Sequence, residues 1–226
     1  MKTLSPGRGL AAALLCCAVV TLALLANHPA GAGHTLIEVI AAEARDRTAN
    51  ATVHTGFVVT LAFLIVCLVS VARLLGSTRP IVLTGLVSFC VGSGMLMLSM
   101  ILDGLAVPAI AVRFVAITDP AALLPARTAL LFCGVLIGIL MPLGLAFQAA
   151  TMLSWSLAIA IPRGGRQRLR LAVAVYGALA ATLLVCGLLF APAARSGHVL
   201  LGAIVLLALW YAALALLIAS RAIASQ

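Results

Sequence analysis

The chain has 226 residues, of which 65% are hydrophobic and only 8% charged, and its mean hydropathy is +1.28. Soluble domains carry about 25% charged residues, so this composition excludes a soluble enzyme, a disordered chain and a nucleic-acid-binding domain. The net charge is +9, but the basic residues lie in short loops between apolar runs, where they contact anionic lipid headgroups. The composition therefore indicates an integral membrane protein whose charged partners are lipids.

Six apolar runs are long enough to cross a bilayer, since a spanning helix needs about 20 mainly apolar residues. They cover approximately residues 10–26, 54–75, 81–102, 128–150, 171–189 and 199–220. None of them shows the alternation of apolar and polar residues that a membrane β-barrel requires. The sequence therefore predicts an all-α fold, a polytopic transmembrane bundle of six helices that forms a single integral membrane domain over residues 1–226.

The charges predict the orientation of the bundle. If successive helices alternate in direction, all five acidic residues fall on one side and nine of the fourteen Lys and Arg residues on the other. The basic side contains Lys2, Arg8, Arg73, Arg79, Arg163, Arg166, Arg168, Arg170 and Arg221. By the positive-inside rule this side is cytoplasmic, with both termini in the cytoplasm. The loop with Arg163, Arg166, Arg168 and Arg170 is expected to contact lipid headgroups.

The first apolar run has an alternative interpretation as a cleaved signal peptide. Its apolar part extends over 18 residues, from 9 to 26, whereas the apolar region of a signal peptide usually has 7–15. We therefore expect a retained first helix, and cleavage would leave five spans in the same orientation.

Two stretches are expected to lie outside the six spans. Residues 35–49 form a short extracytoplasmic amphipathic helix that lies on the membrane surface or caps the bundle, because four apolar side chains recur at helical spacing, Leu36, Val39, Ile40 and Ala44. The fourth apolar run continues to residue 161, and Pro142 is expected to kink it. Residues 149–161 would then follow the cytoplasmic interface, with Trp155 at the level of the headgroups.

Gly134 and Gly138 form a GxxxG motif in the fourth span. The missing side chains let two helix backbones approach closely. We expect this contact within the chain, and the alternative is a homodimer or a larger membrane complex assembled through the same surface.

Four polar residues are predicted to lie at one level near the outer mouth of the bundle. His54 precedes the turn near residues 77–78 by about as many residues as Asp103 follows it, so at 1.5 Å per residue they differ in height by about 3 Å. Arg127 and His198 begin the fourth and sixth spans at the same level. The sequence thus predicts a polar ring of His54, Asp103, Arg127 and His198.

Several roles are open for this ring. Imidazole and carboxylate groups could bind a divalent metal, relay protons or hold an anionic solute beside Arg127. Two histidines on different helices could instead ligate haem iron. Equal height also fits a simpler interpretation, in which polar residues lie where the spans meet water.

Short motifs around these residues resemble those of a family of small bacterial integral membrane proteins without an established activity. The motifs are His28-Pro29, the VHxG start of the second span at His54, and Asp103-Gly104-Leu-Ala at the end of the third. The resemblance covers about residues 27–107. It implies a location in the bacterial inner membrane and a role for His54 and Asp103.

The sequence contains none of the HExxH, GxSxG or Walker signatures of common enzyme classes. The first functional hypothesis is therefore a non-enzymatic accessory or structural subunit, or a small permease, without a cofactor. The alternative is an electron-transfer subunit that binds haem or quinone near His54 and His198.

Overall fold

The computed structural model describes residues 6–29, 33–161, 167–190 and 197–220, and these residues are entirely helix and connecting turns. The helices are α1 (Pro6–Ala26), α2 (Leu36–Arg45), α3 (Arg47–Leu75), α4 (Pro80–Ile101), α5 (Val107–Phe114), α6 (Leu124–Ala160), α7 (Gln167–Phe190) and α8 (Gly197–Ala219). One π-helical turn, Leu102–Ala106, joins α4 to α5 without a break. Arg163 and Arg166 lie outside the described residues.

Six stretches of the described chain are long and apolar enough to cross a membrane, which confirms the predicted all-α bundle of six spans. They are Gly7–Ala26, Arg47–Leu75, Pro80–Phe114, Leu124–Ala160, Gln167–Phe190 and Leu200–Ala219. Their outward surfaces carry large apolar side chains, such as Phe190 and Phe132, which are 77% and 64% exposed. A surface of this kind is stable only against lipid or another apolar partner.

The core of the bundle is built around Trp155 and Trp210, which are fully buried with their rings 6.0 Å apart. Gly85 of α4 has no side chain, and a Cβ there would overlap the Trp155 indole. The Trp155 Nε1–H donates to the Val82 carbonyl at 3.0 Å. The expected course of residues 149–161 along the membrane interface is therefore wrong: α6 continues through Pro142 to Ala160, and one face of its last turns, with Trp155, packs into the bundle.

Small residues bring α4 and α6 together, as glycines do in membrane bundles. A Cβ on Gly92 would lie 2.7 Å from the Gly144 carbonyl oxygen, so only glycine permits this approach. The GxxxG motif is not used in this way, because a Cβ on Gly134 or Gly138 would meet nothing within 4 Å. The expected contact within the chain through Gly134 and Gly138 does not occur among the described residues.

The two ends of the bundle differ in their polar groups. The end that contains His28, His54 and Asp103 is called the histidine end, and the opposite end, with Arg79 and Arg170, the arginine end. At the histidine end α2 packs on α5 and on the start of α6 through a small apolar cluster, Ile40, Ala111, Leu123 and Ala126. The predicted amphipathic helix is therefore confirmed as a cap, although it ends at Arg45 and residues 47–49 already belong to α3.

At the arginine end, two guanidinium groups bind the last carbonyls of α6. Arg170, which is only 8% exposed, donates to Ile159 O at 2.9 Å and to Ile161 O at 2.6 Å. Arg79 donates to Ala158 O at 3.4 Å. These carbonyls have no partner within the helix, so the two arginines satisfy them and favour the negative end of the helix dipole.

Candidate metal centre

Three separate segments bring one polar side chain each to a common point at the histidine end. His28 follows the end of α1, His54 lies near the start of α3, and Asp103 belongs to the π-helical turn. The His54 Nε2 atom is 3.1 Å from Asp103 Oδ2 and 3.3 Å from His28 Nε2. The ligand atoms of all three residues lie within 4.8 Å of one another. The equal height predicted for His54 and Asp103 is thus an actual contact.

Backbone carbonyls determine which ring nitrogen of His28 and His54 carries the proton. The Nδ1 atom of His54 is 2.8 Å from Asn50 O, and that of His28 is 2.9 Å from Pro29 O. A carbonyl oxygen only accepts, so each Nδ1 carries the proton and donates it. In the neutral rings both Nε2 atoms are therefore unprotonated and present lone pairs toward Asp103.

Three hydrogen-bond acceptors therefore face one another when the rings are neutral: the two Nε2 atoms and the Asp103 carboxylate oxygen. Two imidazole lone pairs and a carboxylate oxygen repel unless a proton or a cation lies between them. Histidines that bind metals usually donate their other ring N–H to a carbonyl or carboxylate, which orients the ring and fixes its tautomer. His28 and His54 both have this second interaction already in place.

Two of the three separations between ligand atoms fit one metal ion, and the third is at most 4.8 Å. Ligands 2.0–2.1 Å from an ion, at angles between 90° and tetrahedral, are separated by about 2.8–3.4 Å. The separations of 3.3 and 3.1 Å lie in this range. Axial nitrogens on opposite faces of a haem would be about 4 Å apart, with the porphyrin between the rings, which two nitrogens in direct contact do not allow.

Gly104 makes the contact between α3 and the π-helical turn possible. A Cβ on Gly104 would overlap the Cβ and ring atoms of His54. π-helical turns are rare and often occur at functional sites. The Asp-Gly pair therefore has two roles: the first residue supplies the carboxylate, and the second makes room for the imidazole.

A second carboxylate makes the surroundings of the site negative. Glu43 of α2 accepts a hydrogen bond from Asn50 Nδ2 at 2.9 Å, and Asn50 is the residue whose carbonyl orients His54. Burial raises the pKa of Glu43 above its usual value, and the negative charges of Asp103 and Asp46 raise it further. A cation bound by Asp103 would relieve this repulsion.

The site is closed toward the bundle and open on the other side. The His54 side chain is 2% exposed, whereas that of Asp103 is 37% exposed and His28 is at the surface. A metal at this point would have three protein ligands and a free direction for water or a small ligand, as catalytic and exchangeable sites do.

The other members of the predicted ring lie elsewhere or are not described. Arg127, in the first turn of α6, is exposed and contacts neither His54 nor Asp103. The backbone of His198 is in the first turn of α8, but its side chain is outside the described residues. Two arginines of the predicted basic loop, Arg168 and Arg170, belong to the first turn of α7. Arg168 is exposed, whereas Arg170 is buried and bonded to α6, so the expected headgroup contact of Arg170 is wrong.

Sequence reasoning did not assign His28, Asn50, Glu43 and Gly104 to the site. The signal for His28 was its pairing with Pro29 directly after the first span, but a height calculation applies only to helical residues. The signal for Gly104 was its position next to Asp103. Nothing in the sequence indicated that Asn50 and Glu43 support His54.

Comparisons with known proteins give no relatives: no protein-family model, no curated protein and no solved structure matches the chain.

Proposed function

We propose that this chain is an integral membrane protein that binds one divalent transition-metal ion at the histidine end of its bundle. The observation that carries the proposal is the convergence of two Nε2 lone pairs and a carboxylate oxygen, with both Nδ1–H groups already bonded to carbonyls. Two imidazoles and one carboxylate suit Zn²⁺, Fe²⁺ and their neighbours in the first transition row.

The same proposal includes the location. Charge asymmetry supports a bacterial inner membrane protein with its arginine end in the cytoplasm and its histidine end outside. The resemblance of the His28-Pro29, VHxG and Asp-Gly motifs supports the same location. In this orientation the ion is taken from the extracytoplasmic side.

The ion is bound here and is not conducted. One helical turn further into the bundle lie the apolar side chains of Leu24, Phe57 and Met100, which pack together with Met141. A permeating ion needs polar ligands along its path, and this layer supplies only apolar carbon and thioether groups. We therefore favour an accessory subunit that holds a metal over a permease.

The test is metal binding by the purified protein in detergent. The protein is stripped with a chelator and titrated with Co²⁺, whose visible absorption reports a low-coordinate site with nitrogen ligands, and the Co²⁺ is then displaced with Zn²⁺. We expect one ion per chain in the wild type and none in His54→Ala. His34→Ala is the matched control, because His34 is an exposed histidine of the same end that lies outside the cluster.

Three results would overturn parts of this proposal. A wild type without saturable binding would reduce the cluster to a hydrogen-bonded His–Asp pair. Equal loss in His34→Ala would place the metal elsewhere. Zn²⁺ uptake into proteoliposomes that depends on His54 would make the protein a permease.

A further inference from the structure

A groove on the lipid-facing side of α6 is separate from the candidate metal centre. It has a volume of about 610 Å³, and α2 covers its end nearest the histidine end with Leu36 and Val39. Its walls are apolar side chains of α6, among them Leu131 and Val135, which are 60% and 59% exposed. The groove is therefore an apolar channel that opens sideways into the hydrocarbon of the membrane.

The floor of the groove is the unused GxxxG motif. Gly134 and Gly138 line it, and a Cβ on either would meet nothing within 4 Å. At 100° per residue, Arg127, Gly134 and Gly138 all lie on one face of α6. The Arg127 guanidinium therefore lies at one end of an apolar helix face on which the two glycines leave space.

The Arg127 side chain has no partner within the described residues. The Arg127 guanidinium takes part in neither of the ion pairs there and in no side-chain hydrogen bond. Glu38, the acid of α2 next to the groove-lining Val39 in the sequence, accepts from the backbone N–H groups of His34 and Thr35. Arg127 is therefore available to pair with an anion from outside the chain.

The geometry points to an anionic phospholipid of the leaflet at the histidine end as the occupant of this groove. From Arg127 to Ile139 the helix rises about 18 Å, and one leaflet of hydrocarbon is about 15 Å thick. The phosphate would bind the guanidinium in a charge-assisted pair, and one acyl chain would lie along Gly134 and Gly138.

Charge also argues against a second copy of the chain in this place. Two chains in one membrane share an orientation, so packing through Gly134 and Gly138 would be parallel. Each Arg127 lies two turns before Gly134 on the same face, and the two guanidinium groups would therefore meet at one level. Like charges in such a contact repel, whereas a lipid phosphate neutralises the same group.

The experiment uses electron spin resonance of spin-labelled lipids with the full chain in phosphatidylcholine vesicles. Protein-bound lipid is motionally restricted, and the label is carried on either phosphatidylglycerol or phosphatidylcholine. We expect wild type to restrict phosphatidylglycerol about fivefold more strongly, the effect of one cation at an anionic surface. Arg127→Gln should lower this preference to what the basic residues of the arginine end still provide, and Arg113→Gln, another exposed arginine of the same end outside the groove, should leave it at the wild-type level.

Filling the groove tests the acyl-chain site. Gly138→Leu should lower the number of restricted lipids by about one per chain, and Gly94→Leu, which also faces open space but lies on α4, should leave it unchanged. Arg127 is exposed, so its variant tests the proposal even if Gly138→Leu does not fold.

The inference fails if wild type restricts both lipids equally, or if Arg113→Gln and Arg127→Gln reduce the preference alike. It also fails if cross-linking finds a dimer that Gly138→Leu dissociates without changing the lipid count. Neither result depends on metal binding.

Discussion

The polar groups at the two ends of the bundle are paired in opposite ways. At the arginine end, donors meet acceptors: the guanidinium groups of Arg79 and Arg170 bind carbonyls that the end of α6 leaves open. At the histidine end, acceptors meet acceptors, because His28, His54 and Asp103 direct lone pairs at one point. The first arrangement is complete by itself and stabilises the fold, whereas the second needs a proton or a cation between the acceptors.

The largest effect is expected from removing ligands at the histidine end. His54→Ala and Asp103→Asn should each weaken Co²⁺ binding by at least about 100-fold, and the double variant should be no weaker, because residues that act as one site are not additive. Titration of the stripped protein measures all three affinities. Independent, additive losses would show that the two residues do not share an ion.

Gly104→Ala should damage the same site by sterics alone. The added methyl group overlaps the His54 ring, so we expect a loss of about 1–3 kcal/mol in the free energy of unfolding and about 10–100-fold in metal affinity. Thermal unfolding in detergent and the Co²⁺ titration measure the two effects. Gly94→Ala, with open space around it, is the control that should change neither.

At the arginine end, Arg170→Met should reduce stability and leave metal binding intact. The change removes hydrogen bonds to the carbonyls of Ile159 and Ile161, which is worth about 1–3 kcal/mol. Arg168→Met, an exposed neighbour, serves as the control in thermal unfolding. A loss of metal affinity in Arg170→Met would contradict the independence of the two ends.

The smallest effect concerns the pH dependence of α2. Hydrogen bonds from the backbone N–H groups of His34 and Thr35 lower the pKa of Glu38 below its usual value of 4.5. A depressed pKa means that the carboxylate stabilises the cap above pH 4.5 and that this contribution disappears as the pH falls through the folded-state pKa.

Amide hydrogen exchange of α2 at neutral pH and below pH 4.5 tests this prediction. Protection should decrease at low pH in the wild type but remain constant in Glu38→Gln, since Gln also completes a capping box. Equal pH dependence in both proteins would assign it to another group.

The spans could be predicted from sequence because hydrocarbon accepts only long apolar helices. The span Arg47–Leu75 differs from the prediction only at its polar start, whereas Pro80–Phe114 continues beyond the predicted end at residue 102 through the π-helical turn and α5. The common level of His54 and Asp103 followed from helical rise, but their contact did not, because height alone does not show which way a side chain points. The position of His28 could not be predicted in this way, because His28 lies outside a helix. The burial of Trp155 could not be predicted either, because it depends on the space that Gly85 leaves in another helix.

The π-helical turn has a consequence for how the chain tolerates insertions and deletions. It holds one residue more per turn than an α-helix, so deleting a residue from Leu102–Ala106 would rotate everything after it by about 100°. That rotation would turn Ala111 of α5 away from the cluster it shares with Ile40 or, if α5 stays docked there, would turn Asp103 away from His54. The contact of Asp103 with His54 and the docking of α2 therefore depend on one register, and length variants in this turn should lose at least one of them.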